Sequence, residues 1–168
     1  MNRVPLIDRS EAPAESKALL DAIQGAFGTT PNMFWTVANS PAALKSMWGA
    51  FSALGAGVIP AKLGEQIAVA VADRNACEYC LAAHTALGRN VGATAEEMQR
   101  AQVGEAADVA TQAALRFALK LVNDRAQVSE ADVQRLREVG FNDEHIVEIL
   151  AHVALNLFTN YVNVAFAV

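Results

Sequence analysis

The chain has 168 residues, which suits one domain with its own hydrophobic core, so residues 1–168 are interpreted as a single domain. It carries 13 Lys and Arg residues against 18 Asp and Glu residues, a net charge of −5, and its cations form no cluster or stripe. Nucleic acid and anionic membrane surfaces are therefore excluded as expected partners.

The share of charged residues is low. It is 18%, while apolar residues make up 53% of the chain. Typical soluble domains have roughly 25% charged residues. We therefore expect some helical faces to be buried between subunits of a homo-oligomer.

The first residues, Met1 to Pro5, lack the apolar core of a secretory signal, and no stretch of about 18 apolar residues occurs. We expect a cytoplasmic protein that is not inserted in a membrane.

Helical periodicity dominates the sequence, and signals for strands are scarce. Expected helix starts carry Ser, Thr or Asn, which favour the N-cap, and Gly marks several of the breaks between helices. The predicted helices span about residues 11–24, 41–54, 60–74, 76–91, 106–123, 130–139 and 143–163, with shorter helices after Pro31 and Thr94. Seven or eight helices without a linker or repeat predict an all-α fold.

The chain's two cysteines and one of its three histidines lie within ten residues, as Cys77, Cys80 and His84. With Asn75 as the expected N-cap, helical spacing places these three side chains on one face of the 76–91 helix. Thiols at this spacing can close a small disulfide loop, and His84, one turn beyond Cys80, can exchange a proton with it. The positive end of the helix dipole favours thiolate over thiol.

Other roles fit this cluster less well. Buried cysteines are often inert apolar side chains, but a Cys-x-x-Cys pair with a histidine one turn away is seldom accidental. A zinc site needs three or four protein ligands, and this cluster supplies at most three from one helix face. A structural disulfide over so short a loop removes little chain entropy, and a thioredoxin-like fold requires strands. The residues therefore indicate a redox-active pair on a helical scaffold.

The preceding helix carries one acidic residue in its middle, Glu65, twelve residues before Cys77. Glu65 lies at the edge of a polar stripe, so periodicity alone allows a surface position as readily as a functional one. Together with Cys80 and His84, these residues resemble the Glu-x11-Cys-x2-Cys-x3-His signature of the alkylhydroperoxidase AhpD-like and carboxymuconolactone decarboxylase superfamily. Resemblance to its peroxidase-related branch extends to residues 30–34, 38–41 and 159–163.

The resemblance implies an AhpD-like helical bundle that reduces alkyl hydroperoxides as an antioxidant enzyme. Cys80 would be the peroxidatic thiolate, and Cys77 would resolve its sulfenic acid as a disulfide. Glu65 and His84 would form the proton relay. The resemblance implies no bound cofactor or metal. It does imply an external dithiol reductant, such as a lipoyl domain, a thioredoxin-like protein or a small thiol, and a trimer or hexamer.

One position departs from the family's best-known peroxidase, which has a further relay histidine between the cysteines. Tyr79 occupies that position here. A phenol, whose ordinary pKa is about 10, is a poor base at neutral pH. We therefore expect a shorter relay, in which Tyr79 donates a hydrogen bond or lines the pocket.

Other candidate residues have plainer interpretations. His145 and His152, seven residues apart on the last helix, are interpreted as satisfied or surface histidines, with substrate contact from a neighbouring subunit as the alternative. Core packing, or the wall of an apolar substrate pocket, is expected for Phe34, Trp35, Met47, Trp48 and Phe51. Contacts near the thiols or between subunits, or plain exposure, are expected for Asn156, Asn160, Tyr161 and Asn163.

Two other functions stay open beside hydroperoxide reduction. A decarboxylase or isomerase like the carboxymuconolactone decarboxylases would share the fold, but those relatives do without the Cys-x-x-Cys pair. A non-enzymatic redox sensor or binding module, in which the disulfide changes oligomer packing, would respond to oxidation without turnover.

Overall fold

The computed structural model describes residues 2–168, and every regular element in that part of the chain is an α-helix. The predicted all-α fold is confirmed, with nine helices among the described residues instead of seven or eight. The helices are α1 (Ala14–Phe27), α2 (Asn32–Val37), α3 (Pro41–Leu54), α4 (Ala61–Arg74), α5 (Glu78–Asn90), α6 (Ala95–Gln102), α7 (Val109–Asn123), α8 (Glu130–Glu138) and α9 (Asp143–Phe166).

Capping contacts confirm several predicted helix starts. Ser40 accepts a hydrogen bond from the backbone N–H three residues on at 3.2 Å, and Asn142 accepts the corresponding bond at 3.0 Å. Thr94 and Glu97 form the expected reciprocal capping box at the start of α6. These side chains satisfy backbone amides that the first helical turn leaves without partners. Local sequence therefore determines these boundaries.

Two predicted starts are too early. α1 begins at Ala14 instead of residue 11, because the preceding chain is a turn in which the Ser10 N–H donates to the Asp8 carboxylate at 2.7 Å. α7 begins at Val109 instead of residue 106, because Asp108 caps it by accepting the N–H three residues on at 2.7 Å.

The junction between α4 and α5 also differs from the prediction. Asn75 ends α4 instead of capping α5, and Ala76 has the left-handed conformation, with φ at +51°. The Cys77 N–H donates to the Ala72 carbonyl at 3.0 Å, and the Ala76 N–H donates to the Asp73 carbonyl at 3.1 Å. These two bonds define a Schellman motif. Cys77 is at once the residue that completes this motif and the N-cap of α5, which starts one residue later.

Two large hydrophobic clusters fill most of the interior, and α9 contributes to both. The larger joins α4, α6, α7 and α8, and the smaller joins α1, α2 and α3. By length and mean hydropathy α9 could span a membrane, but it packs against α3, α4 and α7. Its buried polar residues are Asn156, Thr159, Asn160 and Asn163. It is therefore a core helix of the bundle that also carries polar groups into the interior.

α5 packs closely against α4 and α6 at Gly88. A Cβ atom at this position would lie 2.5 Å from the Met98 Sδ and 3.4 Å from the Glu65 Cβ. Met98 is fully buried, so it has little free volume into which it could move. Glycine at this point allows α5 to pack directly against the helix that carries Glu65.

We predict that Gly88→Ala lowers the free energy of unfolding by about 1–3 kcal/mol, because the added methyl group overpacks the contact with Met98. Gly49→Ala in α3 is the matched control, since nothing lies within 4 Å of the Cβ it would add. That variant should gain about 0.5–1 kcal/mol from helix propensity. Urea unfolding followed by circular dichroism measures both, and equal changes in the two variants would contradict the close packing.

Candidate functional site

The two sulfur atoms are bonded to each other, but their surroundings differ. Cys77 caps α5, Cys80 lies in its first turn, and their Cα atoms are 5.3 Å apart. Both residues are almost fully buried, with 3% and 4% of their surfaces exposed. Cys80 lines a cavity, whereas Cys77 packs with Ala72 and does not belong to the lining. A small molecule in the cavity therefore meets Cys80 and not Cys77.

The imidazole of His84 and the carboxylate of Glu65 are hydrogen-bonded between α5 and α4. The His84 Nδ1 and Glu65 Oε2 atoms are 2.7 Å apart, and both side chains are largely buried. A carboxylate on Nδ1 selects the tautomer with its proton on that nitrogen, which leaves Nε2 as the basic nitrogen. His84 also lines the cavity beside Cys80. The structure thus brings together all four residues that the signature singled out.

The cavity beside Cys80 has a volume of about 300 Å³ and mainly apolar walls. Phe27 from α1, Phe34 from α2, Phe51 from α3 and Leu87 from α5 contribute to these walls. No Lys, Arg, Asp or Glu belongs to the lining among the described residues. Its polar groups are the side chains of Thr29, Tyr79, His84, Thr159 and Asn163. The cavity suits a small, uncharged and largely apolar molecule.

The aromatic residues singled out in the sequence divide between the two suggested roles. Phe34 and Phe51 line the cavity, whereas Trp35, Met47 and Trp48 pack in the α1–α3 cluster without reaching it. Phe27 was missed, because the predicted first helix ended before it. Tyr79 lines the cavity with 53% of its surface exposed, so its phenol lies near the entrance.

Asn163 contacts the Cys80 sulfur from α9. A contact near the thiols was one of the alternatives that the sequence left open for this residue, although Asn163 was not among the predicted catalytic residues. Its Nδ2 atom lies 3.3 Å from the Cys80 Sγ and 3.0 Å from the Thr159 carbonyl oxygen. Nearby, the Asn75 Nδ2 donates to the Asn160 Oδ1 at 3.0 Å. The amide side chains in an otherwise apolar helix indicated that such contacts exist. The sequence did not identify the residues that they contact.

The other two histidines lie outside the lining of this cavity. His145 is half-buried in the first turn of α9, with its Nδ1 atom 2.6 Å from the Asn142 Oδ1. His152 packs against Gly64, and its Nε2 atom is buried without a hydrogen-bond partner among the residues that the structure describes. Burial lowers the pKa of His152, and the negative charges of Glu148 and Glu65 oppose this effect. In residues 2–168, no group of His, Cys, Asp and Glu is arranged to hold a metal ion.

Residues 41–124, which are 84 of the 168 residues, match the carboxymuconolactone decarboxylase family. The matched region contains Glu65, Cys77, Cys80 and His84. None of the curated proteins compared with the chain matches it significantly.

Several solved structures share the fold over nearly the whole chain. An uncharacterized peroxidase-related protein from Ralstonia eutropha JMP134, an alkylhydroperoxidase AhpD core, is 28% identical with a TM-score of 0.86, covering 99% of this chain and 90% of that one. A peroxidase-related protein from Silicibacter sp. TM1040 is 28% identical with a TM-score of 0.82, covering 98% and 87%. The debrominase Bmp8 is 24% identical with a TM-score of 0.81, covering 98% and 89%. The predicted AhpD-like fold is therefore confirmed.

Proposed function

Because the chain belongs to the carboxymuconolactone decarboxylase family and has the AhpD-like fold, we propose that it is a thiol-dependent hydroperoxide reductase. The single observation that carries the proposal is the cavity that reaches Cys80 beside the hydrogen-bonded pair of His84 and Glu65. A peroxide in this cavity would have a potential nucleophile and a potential proton carrier within the same small volume.

The reaction begins with both cysteines reduced. His84 Nε2 accepts the Cys80 thiol proton, and the thiolate attacks one oxygen of the hydroperoxide. The O–O bond breaks, Cys80 becomes a sulfenic acid, and the leaving alkoxide takes the proton from His84. The Glu65 carboxylate stabilises the imidazolium between these two transfers, and it fixes the tautomer.

Cys77 completes the cycle. Its sulfur attacks the Cys80 sulfenic acid, which releases water and forms the disulfide. The disulfide between the two residues supports this step. An external dithiol then reduces the disulfide by thiol–disulfide exchange. Such a cycle suits the cytoplasm, where dithiol reductants are maintained.

The walls of the cavity favour an organic hydroperoxide with an apolar substituent. Phe27, Phe34 and Phe51 would contact that substituent, whereas hydrogen peroxide would leave their surfaces unused. The same walls disfavour a carboxymuconolactone decarboxylase activity, because no cation lines the cavity among the described residues to balance a substrate carboxylate. The shared fold of a debrominase shows that the fold alone does not determine the substrate.

We also propose that the chain forms a homo-oligomer through the outer face of α9. That face exposes Val147, Leu150, Phe158, Tyr161 and Val164, which continue along the helix on its solvent side. Burying this face in a second copy would remove apolar surface from water. Light scattering at micromolar concentration should give a multiple of the monomer mass, and the monomer mass would contradict the proposal.

The proposed cycle predicts the behaviour of the two cysteine variants. One equivalent of cumene hydroperoxide should convert prereduced wild-type protein to the disulfide, which mass spectrometry detects as the loss of two hydrogens. Cys80→Ser should abolish peroxide consumption. Cys77→Ser should consume one equivalent and stop at a sulfenic acid that dimedone traps on Cys80. Undiminished peroxide consumption by Cys80→Ser, with Cys77→Ser as its matched control, would contradict the assignment.

A further inference from the structure

Asn163 is the side chain from outside the α4–α5 hairpin that hydrogen-bonds to the Cys80 sulfur. It lies on α9, 83 residues along the chain from Cys80, and 6% of its surface is exposed. Its Nδ2 atom is 3.3 Å from the Cys80 Sγ. A second sulfur, the Met33 Sδ, lies 3.6 Å from the same nitrogen. The amide group therefore faces two soft acceptors in a buried setting.

The orientation of this amide follows from the backbone of α9. The Asn163 Nδ2 atom also donates to the Thr159 carbonyl oxygen at 3.0 Å, one helical turn earlier. A carbonyl oxygen can only accept a hydrogen bond, so the nitrogen and not the oxygen of the Asn163 amide must face it. One N–H is thereby fixed on Thr159, and the other faces the two sulfur atoms, of which the Cys80 Sγ at 3.3 Å is nearer than the Met33 Sδ at 3.6 Å.

We propose that Asn163 stabilises the thiolate of reduced Cys80 by this N–H bond, and that it thereby makes Cys80 the attacking sulfur in preference to Cys77. The catalytic meaning of the inference rests on the hydroperoxide reductase function proposed above. A donor to the charged form of an acid favours that form, and hydrogen bonds to charged acceptors are stronger than those to neutral ones. No side-chain donor to the Cys77 sulfur is found among the described residues.

The charged and titratable groups near Cys80 have other positions or roles, so we assign the hydrogen bond that stabilises the thiolate to Asn163. On α5, His84 and Tyr79 line the same cavity, and Glu65 on α4 reaches Cys80 only through His84. The neighbours from α2 and α9, Met33 and Thr159, are uncharged. His84 accepts and donates protons in the proposed reaction. The Asn163 amide stays neutral throughout and acts as a fixed dipole. The two groups therefore assist Cys80 in different ways.

The ionisation of Cys80 tests the inference without any peroxide. In reduced protein carrying Cys77→Ser, the rate of alkylation by iodoacetamide as a function of pH gives the Cys80 pKa. Asn163→Leu should raise this pKa by about one unit, because it removes the donor from the charged sulfur. Asn163→Asp should raise it further, since a carboxylate opposes the thiolate. Asn156→Leu is the matched control, because it removes another buried amide of α9 that donates to the His152 carbonyl and not to sulfur.

The relative reactivity of the Cys80 and Cys77 sulfurs toward alkylation is measured in reduced protein that retains both cysteines. Limited alkylation followed by peptide mapping should label Cys80 first, and Asn163→Leu should reduce this preference about tenfold at neutral pH. An unchanged Cys80 pKa in Asn163→Leu overturns the inference. If the leucine variant does not fold, Asn163→Asp, which has the same shape as asparagine, is used instead. An unchanged Cys80 pKa in that variant likewise overturns the inference. A wild-type chain that fails to reduce hydroperoxides overturns the proposed function, but it leaves this result intact.

Discussion

The hydrogen bond between Glu65 and His84 joins α4 to α5, and the rest of the site depends on it. The two helices meet at a short junction and run back along each other, so that a residue early in α4 lies beside the middle of α5. Gly88 permits this close approach, because any larger side chain would meet Met98. The same junction places Cys77 at the end of the Schellman motif and Cys80 one turn into α5. One hairpin thus supplies the two sulfurs, the imidazole and the carboxylate.

α9 and the N-terminal helices complete the candidate site, because they supply polar contacts and cavity walls around this hairpin. α9 brings Asn163 to the Cys80 sulfur, and Asn160 holds Asn75 at the junction. Buried amides are costly unless they are hydrogen-bonded. Asn163 donates to the Cys80 sulfur, whereas Asn160 accepts from Asn75 and its own Nδ2 atom is buried without a partner among residues 2–168. Aromatic rings of α1, α2 and α3 line the cavity beside Cys80. In the proposed function, the chemistry and the substrate preference would therefore come from different parts of the bundle.

The sequence predicted the features that depend on local chemistry. Ser40, Thr94 and Asn142 cap helices where expected, and the spacing from Cys77 to Cys80 predicted a pair that can form a disulfide. Periodicity alone left Glu65 at the edge of a polar stripe, and only its resemblance to the family signature associated it with His84. Single-domain organisation and the catalytic roles of these residues stay predictions.

Features that depend on tertiary packing could not be predicted. Ala76 is a strong helix former, so local preference extended α5 over a residue that has a left-handed conformation in the structure. The contact between Asn163 and Cys80 joins residues 83 positions apart, and no periodic pattern within one helix specifies its partner in another. Phe27 lies beyond the predicted end of α1, and its place in the cavity wall depends on how α1 packs against α3.

The central claim is that the Glu65 carboxylate and the His84 imidazole together move the protons for Cys80. Its most direct test is the rate of Cys80 oxidation by cumene hydroperoxide in prereduced protein, followed by stopped flow in wild type and in Glu65→Gln. The glutamine keeps the shape and a hydrogen bond but removes the charge that stabilises the imidazolium. We expect the rate in the variant to be lower by about a hundredfold or more. Equal rates in the two proteins, with both folded, would contradict it.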